Sequence, residues 1–147
     1  MVANELKCVF IKGNVPSSKN SKVATKTGLF HSKTVSKYLR SLGIMAYSVT
    51  RKTVTGYKTI PSTYPIKELT DLFKDSVAPI KVGLHFVRKD KKHFDFHNIS
   101  QVVFDLMVAH NIIEDDNMNC IIPFPFQIDC EWYSVDKENP GVYITIL

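Results

Sequence analysis

The chain has 147 residues, 44% of them hydrophobic and 22% charged, a length that buries one real core and a composition outside the disordered, fibrous and transmembrane classes. Nineteen Lys and Arg against fourteen Asp and Glu leave a net charge of +5. That balance favours a polyanionic partner, because lysines that neutralise phosphates release condensed counterions, or else it marks a solvated basic surface.

The opening MVANELKCVFIKG has neither the uninterrupted apolar stretch nor the small-residue cleavage site of a signal peptide. No apolar run nears the ~20 residues that cross a bilayer, so a cytoplasmic location with no membrane partner is expected. Cys8, Cys120 and Cys130 cannot all pair and show no C-x-x-C spacing, which fits a reduced protein with buried thiols.

Leu6–Ile11, "LKCVFI", is rich in β-branched and apolar residues and predicts a first strand. Residues 14–29 are dominated by Ser, Asn, Thr, Gly and Lys without an apolar period, predicting a basic loop that carries Lys19, Lys22 and Lys26. Ser32 is placed to cap a helix whose apolar positions are Val35, Tyr38, Leu39, Leu42, Met45 or Ala46, and Val49, with Gly43 either ending or weakening it. Opposite that stripe, Lys33, Lys37 and Arg40 recur at i, i+4 and i+7, a face for phosphates or for water.

Thr53–Pro65 carries Gly and Pro punctuation and reads as a hairpin or loop. Pro65 then suits the first turn of a short helix lined by Ile66, Leu69, Leu72 and Phe73 and closed by Pro79. In Pro79–Val87, Ile80, Val82, Leu84 and Phe86 alternate with Lys81, Gly83, His85 and Val87, the period of a half-buried strand with His85 facing solvent. A basic run containing Lys91 and Lys92 comes next.

Phe94 and Phe96 alternate with Asp95 and His97 as they would on a strand, aromatics to the core and polar groups outward. Ile99–Ala109 is apolar nearly all round and predicts a buried helix, interrupted by Asn98, Gln101 and Asp105, which fall within about 60° of one another at ~100° per residue. "IIEDDNMN" ends it, and "CIIPFPFQIDCEWY" and "GVYITIL" supply C-terminal strands, the first placed at an edge or bulge by Pro123 and Pro125. One α+β domain over 1–147 is expected, a mixed sheet packed by two or three helices.

An acid such as Asp105 on a buried helix needs a partner, since an unpaired buried charge costs several kcal/mol. Asp95 precedes that helix, and Glu114, Asp115 and Asp116 come after it. These acids serve as caps and turn formers, or they converge. Two or three converging carboxylates are what Mg²⁺ or Mn²⁺ takes, and such an ion activates water and neutralises charge on an attacked phosphodiester.

The run "FDFHNISQVVFDLMVAHNIIEDDN", preceded by "GNVPSSKNS", resembles the RusA-type Holliday junction resolvases of phages and prophages. The likeness spans most of the chain in order, with its specific part between Asp95 and Asn117. It implies a small dimeric α+β endonuclease that binds four-way DNA junctions and cuts them with Mg²⁺ or Mn²⁺. By position, Asp95 matches the first catalytic acid, Asn98 the motif asparagine, Asp105 the helix acid, and Asp115–Asp116 the distal pair, of which Asp116 is the catalytic member. His97 stands where the family has a second acid and Gln101 where it has a lysine. Histidine ligates Mn²⁺ more readily than Mg²⁺, and glutamine brings no positive charge to a phosphate, a deficit that Lys91 or Lys92 would have to meet.

The resemblance therefore implies Asp95, His97 and Asp116 as metal ligands, the same three with Asp115 as catalytic groups, and Asp105, Asn98 and Gln101 supporting them. Lys19, Lys22, Lys26, Lys33, Lys37 and Arg40 would hold phosphates. The two departures keep open a non-catalytic member that binds branched DNA without cutting it, and a third reading is an adaptor whose acidic cluster is plain surface.

Overall fold

The elements run β1 (Cys8–Lys12), β2 (Lys22–Thr25), β3 (Gly28–His31), α1 (Lys33–Ser41), β4 (Ile44–Val49), β5 (Val54–Thr59), α2 (Ile66–Phe73), β6 (Ile80–Arg88), α3 (Phe96–Ala109), β7 (Ile121–Pro125), β8 (Ser134–Val135) and β9 (Gly141–Ile146). This computed structural model describes residues 6–18, 22–25, 28–31, 33–49, 54–59 and 63–147, with backbone alone for 22–25, 28–31, 45–49 and 54–59.

The main sheet has the order β1-β9-β6-β7, with β8 pairing β6 beyond β7. It is mixed: β1 and β6 flank β9 antiparallel, while β7 and β8 run parallel to β6. The parallel β6–β7 pair needs a crossover, and α3 supplies it. β7 is the edge, where Pro123 and Pro125 are tolerated. The expected α+β domain with a mixed sheet is thus the architecture observed.

One core joins the elements. From β6 it takes Val82, Leu84 and Phe86, from β9 Val142 and Ile144, from β1 Val9 and Ile11, and from α3 Ile99, Val102, Val103, Leu106 and Met107. α1 adds Val35, Tyr38 and Leu39 and α2 adds Leu69 and Phe73. At Gly141 the sheet leaves no room for a side chain: a Cβ there would lie 2.5 Å from the Ile11 carbonyl oxygen and against the Phe10 ring.

Several expectations need correction. The basic segment is not a featureless loop, because β2 and β3 pair as a hairpin within it. Its first residues are docked: Val15 is fully buried, Gly13 N–H donates to the Pro140 carbonyl, and Ser18 N–H donates to the Asn98 carbonyl. The first helix stops at Ser41, with Gly43 N–H bonded to the Arg40 carbonyl and Gly43 at φ 72, the left-handed conformation that ends helices. Met45, Ala46 and Val49 accordingly lie in β4, which pairs with β5 as a hairpin. Ser32 and, of the anticipated loop, Thr53 and residues 60–62 lie outside the described residues.

α2 ends at Phe73, well before Pro79, which is joined to Ala78 by a cis peptide and leads into β6. Within β6 both faces are buried, and His85 is 0% exposed rather than facing solvent. The chain beyond β7 covers the second face: Phe126 packs near the His85 ring, its carbonyl lies 2.9 Å from Nδ1, and Ser134 Oγ lies 2.7 Å from Nε2. A carbonyl only accepts, so Nδ1 carries the proton, and in the neutral ring Nε2 accepts from the Ser134 hydroxyl. Phe96 and His97 belong to the first turn of α3, not to a strand. Of the three thiols, Cys8 and Cys130 are exposed and only Cys120 is partly buried.

Candidate functional site

Asp95 begins the site because of its backbone. It sits at φ −107, ψ 119, the extended conformation of an N-cap, and its Oδ1 accepts from His97 N–H at 3.0 Å. That bond satisfies one of the donors a helix start leaves unpaired, and a negative charge is favoured beside the positive end of the helix dipole.

From this cap the helix buries Ile99, Val102, Val103, Leu106 and Met107 and presents Gln101 and Asp105 to solvent, with Asn98 half-buried. The polar ridge is therefore as spaced, but Asp105 is an exposed acid and carries no burial cost. Six residues of helix set Asp95 and Gln101 about 9 Å apart along the axis.

The turn after the helix brings Asp116 back to this ridge. His110 N–H bonds the Leu106 carbonyl, its Nδ1 donates to the same oxygen at 2.7 Å, and Asn111 turns the chain at φ 57. Ile113 is then buried, which anchors the start of the acidic stretch. Gln101 Nε2 donates to Asp105 Oδ1 at 2.7 Å and to Asp116 Oδ2 at 2.6 Å. The amide has two hydrogens, one for each carboxylate, and only its nitrogen end makes both contacts attractive. Two acids eleven positions apart in sequence are so drawn to one point.

Asp115 plays a different part. Its Oδ1 accepts from Asp116 N–H at 2.8 Å and its Oδ2 from Asn117 Nδ2 at 2.8 Å. These bonds, the backbone one first, hold its carboxyl below the usual carboxylate range. It shapes the turn that presents Asp116.

The sequence-predicted metal trio is not assembled. Among the described residues no three His, Cys, Asp or Glu side chains gather closely enough to hold an ion. His97 is exposed in the first turn of α3. The fold does gather the pair Asp105 and Asp116, whose oxygens suit a hard cation that keeps most of its waters. Of the basic residues, Lys33, Lys37 and Arg40 share the exposed face of α1, and Lys91 and Lys92 are exposed between β6 and α3. Lys22 lies in β2, and Lys19 and Lys26 fall outside the described residues.

The sequence does not anticipate an open cavity of about 370 Å³ beside the α3 cap, lined by Ser17, Arg88, His93, Phe94, Asp95 and Asn98. Its signal there is faint: Val15 and Pro16 are an apolar pair at the start of a polar stretch, and they are buried. Their docking places Ser17 on the same cavity wall as Asp95. No protein-family model matches the chain, and no curated protein matches it in sequence.

Proposed function

We propose that the chain is a metal-dependent endonuclease of the RusA type that cuts four-way or otherwise branched DNA in the cytoplasm. The observation that supports it most is the Gln101 bridge. It draws Asp116 onto Asp105, on the helix that Asp95 caps, in a protein of net charge +5. Asp105 and Asp116 would hold Mg²⁺ or Mn²⁺, with Asp95 and Asn98 along the same helix toward the substrate. The ion supplies an activated water and neutralises charge on the phosphodiester.

The chain's own residues do the rest. Gln101 keeps two like charges together by donating to both, and Asp115 fixes the backbone that carries Asp116. Lys33, Lys37, Arg40, Lys91 and Lys92 are exposed cations for the flanking backbone. Symmetric cutting of a four-way junction needs two sites, which a two-fold homodimer provides.

The test is cleavage of a synthetic labelled junction with Mg²⁺ or Mn²⁺. Nicking by the parent protein and none by Asp116→Asn supports the reading. A second reading is favoured by the absence of a three-acid group among the described residues and by a neutral Gln101. In it the protein binds branched DNA without cutting. A metal-independent gel shift with no turnover would select it.

A further inference from the structure

Arg88 is the last residue of β6, where the sheet meets the turn into α3. Its Nη1 donates to the Val15 carbonyl at 2.6 Å, and its guanidinium carbon lies 5.1 Å from the centroid of the Phe94 ring. Both contacts position the group, and neither neutralises it. Among the described residues no carboxylate forms an ion pair with Arg88, although the side chain is half-buried. Desolvation pulls its pKa below the ordinary value against the influence of Asp90 and Tyr38.

A neutral donor would satisfy one carbonyl as well, so tying down Val15 does not account for a permanent charge here. The guanidinium has five N–H donors in a planar fork, which leaves several beyond the one given to Val15. Arg88 also lines the cavity beside the α3 cap together with Asn98 and His93, which carry further polar groups. Among the described residues, Asp95 is the one acid on that wall. A carboxylate there disfavours a dianion and tolerates a singly charged group, which matches a phosphodiester better than a terminal phosphate.

We propose that this cavity is a phosphodiester subsite in which the Arg88 guanidinium holds one backbone phosphate of a nucleic-acid strand, with the Asn98 amide beside it. The identity of that strand as branched DNA rests on the nuclease reading above. The subsite fixes where the backbone crosses the start of α3, next to Asp95 and ahead of the Asp105–Asp116 pair. Arg88 is thus a substrate-positioning residue, distinct from the acids.

The probe is dimethyl phosphate, a monoanionic diester, titrated at constant ionic strength while nitrogen-resolved NMR tracks Arg88 Nε–H, the Asn98 side-chain amide and the Ile99 amide. Saturable shifts at those groups are expected, weaker with inorganic phosphate at pH 8, reduced in Arg88→Lys and lost in Arg88→Gln. A labelled four-way junction in EDTA gives the second measurement. The slope of log K against log salt should fall by about 0.9 in Arg88→Gln, the loss of one phosphate contact. Lys81→Gln, altering an exposed residue at the other end of β6, should leave the slope unchanged. Arg88→Lys covers the case in which the glutamine variant does not fold. Absent shifts, or shifts and slope indifferent to Arg88, would overturn the assignment. Because neither measurement needs cleavage, a parent protein that binds dimethyl phosphate at Arg88 but never cuts a junction sinks the nuclease reading and leaves the subsite standing. A junction cut at the parental rate and affinity by Arg88→Gln does the reverse.

Discussion

Replacing Gln101 by glutamate changes one donor into one acceptor at the point where two carboxylates already meet. In the parent protein the amide lies 2.7 Å from Asp105 and 2.6 Å from Asp116. With Gln101→Glu the two attractive contacts become two like-charge contacts. At ~4 Å a pair of unit charges in water is worth about 1 kcal/mol, and more where solvent is partly excluded. All three side chains can rotate toward water, so the lower value applies and the two pairs together destabilise by about 2 kcal/mol. In a domain of this size that lowers the melting temperature by about 4–8 °C. Divalent cation reverses the effect, since three carboxylates are a better hard-ion site than two. At an ion concentration about a hundred times the dissociation constant, the recovery is about 2.7 kcal/mol. Calorimetry in EDTA and then in MgCl₂ or MnCl₂ measures both quantities. A variant that melts with the parent in EDTA, or gains no more from the ion than the parent does, would refute the bridge.

His85→Leu should destabilise by about 2 kcal/mol, because it strands the Phe126 carbonyl at about 1–3 kcal/mol while the half-buried Ser134 hydroxyl can turn to water; an unchanged urea midpoint would contradict the buried pairing. Asp95→Ala should lose about 1 kcal/mol of helix capping while Asp95→Asn, an equally good cap, stays within a few tenths, and equal urea midpoints for the two variants would argue against the cap. The Asp115 carboxyl titrates below its ordinary 3.8. Its hold on the Asp116 amide is therefore complete above that value and lost as pH falls through the lower folded one. An NMR titration that finds Asp115 protonating at or above 3.8 would remove that link.

The parts of the fold that the sequence reveals are those set by local pattern. Pro65 with Leu69 and Phe73 marks α2, and the apolar run from Ile99 marks α3, because a helix face needs only neighbours three and four positions away. Gly43 shows where such a pattern overreaches: Met45, Ala46 and Val49 fit the helical period, yet a residue at φ 72 ends the helix before they are reached. His85 shows the complementary failure. Alternation along β6 implies an open face, and only the distant segment around Phe126 and Ser134 closes it. The site divides in the same way. Asp95, Gln101, Asp105 and Asp116 are identifiable as residue types in order, whereas their pairing depends on the buried anchor at Ile113 and the turn at Asn111. Arg88 carries no local signal, since its role comes from where Val15 docks.

The central claim is that Asp116, held beside Asp105 by Gln101, makes this chain a branched-DNA nuclease. The direct measurement is strand cleavage of an end-labelled four-way junction by the parent and by Asp116→Asn, which keeps an oxygen to accept the Gln101 bond but loses the charge. Paired nicks by the parent in Mg²⁺ or Mn²⁺, none in EDTA and none with the variant are expected. No nick in either ion, or cutting by Asp116→Asn at the parental rate, contradicts the account.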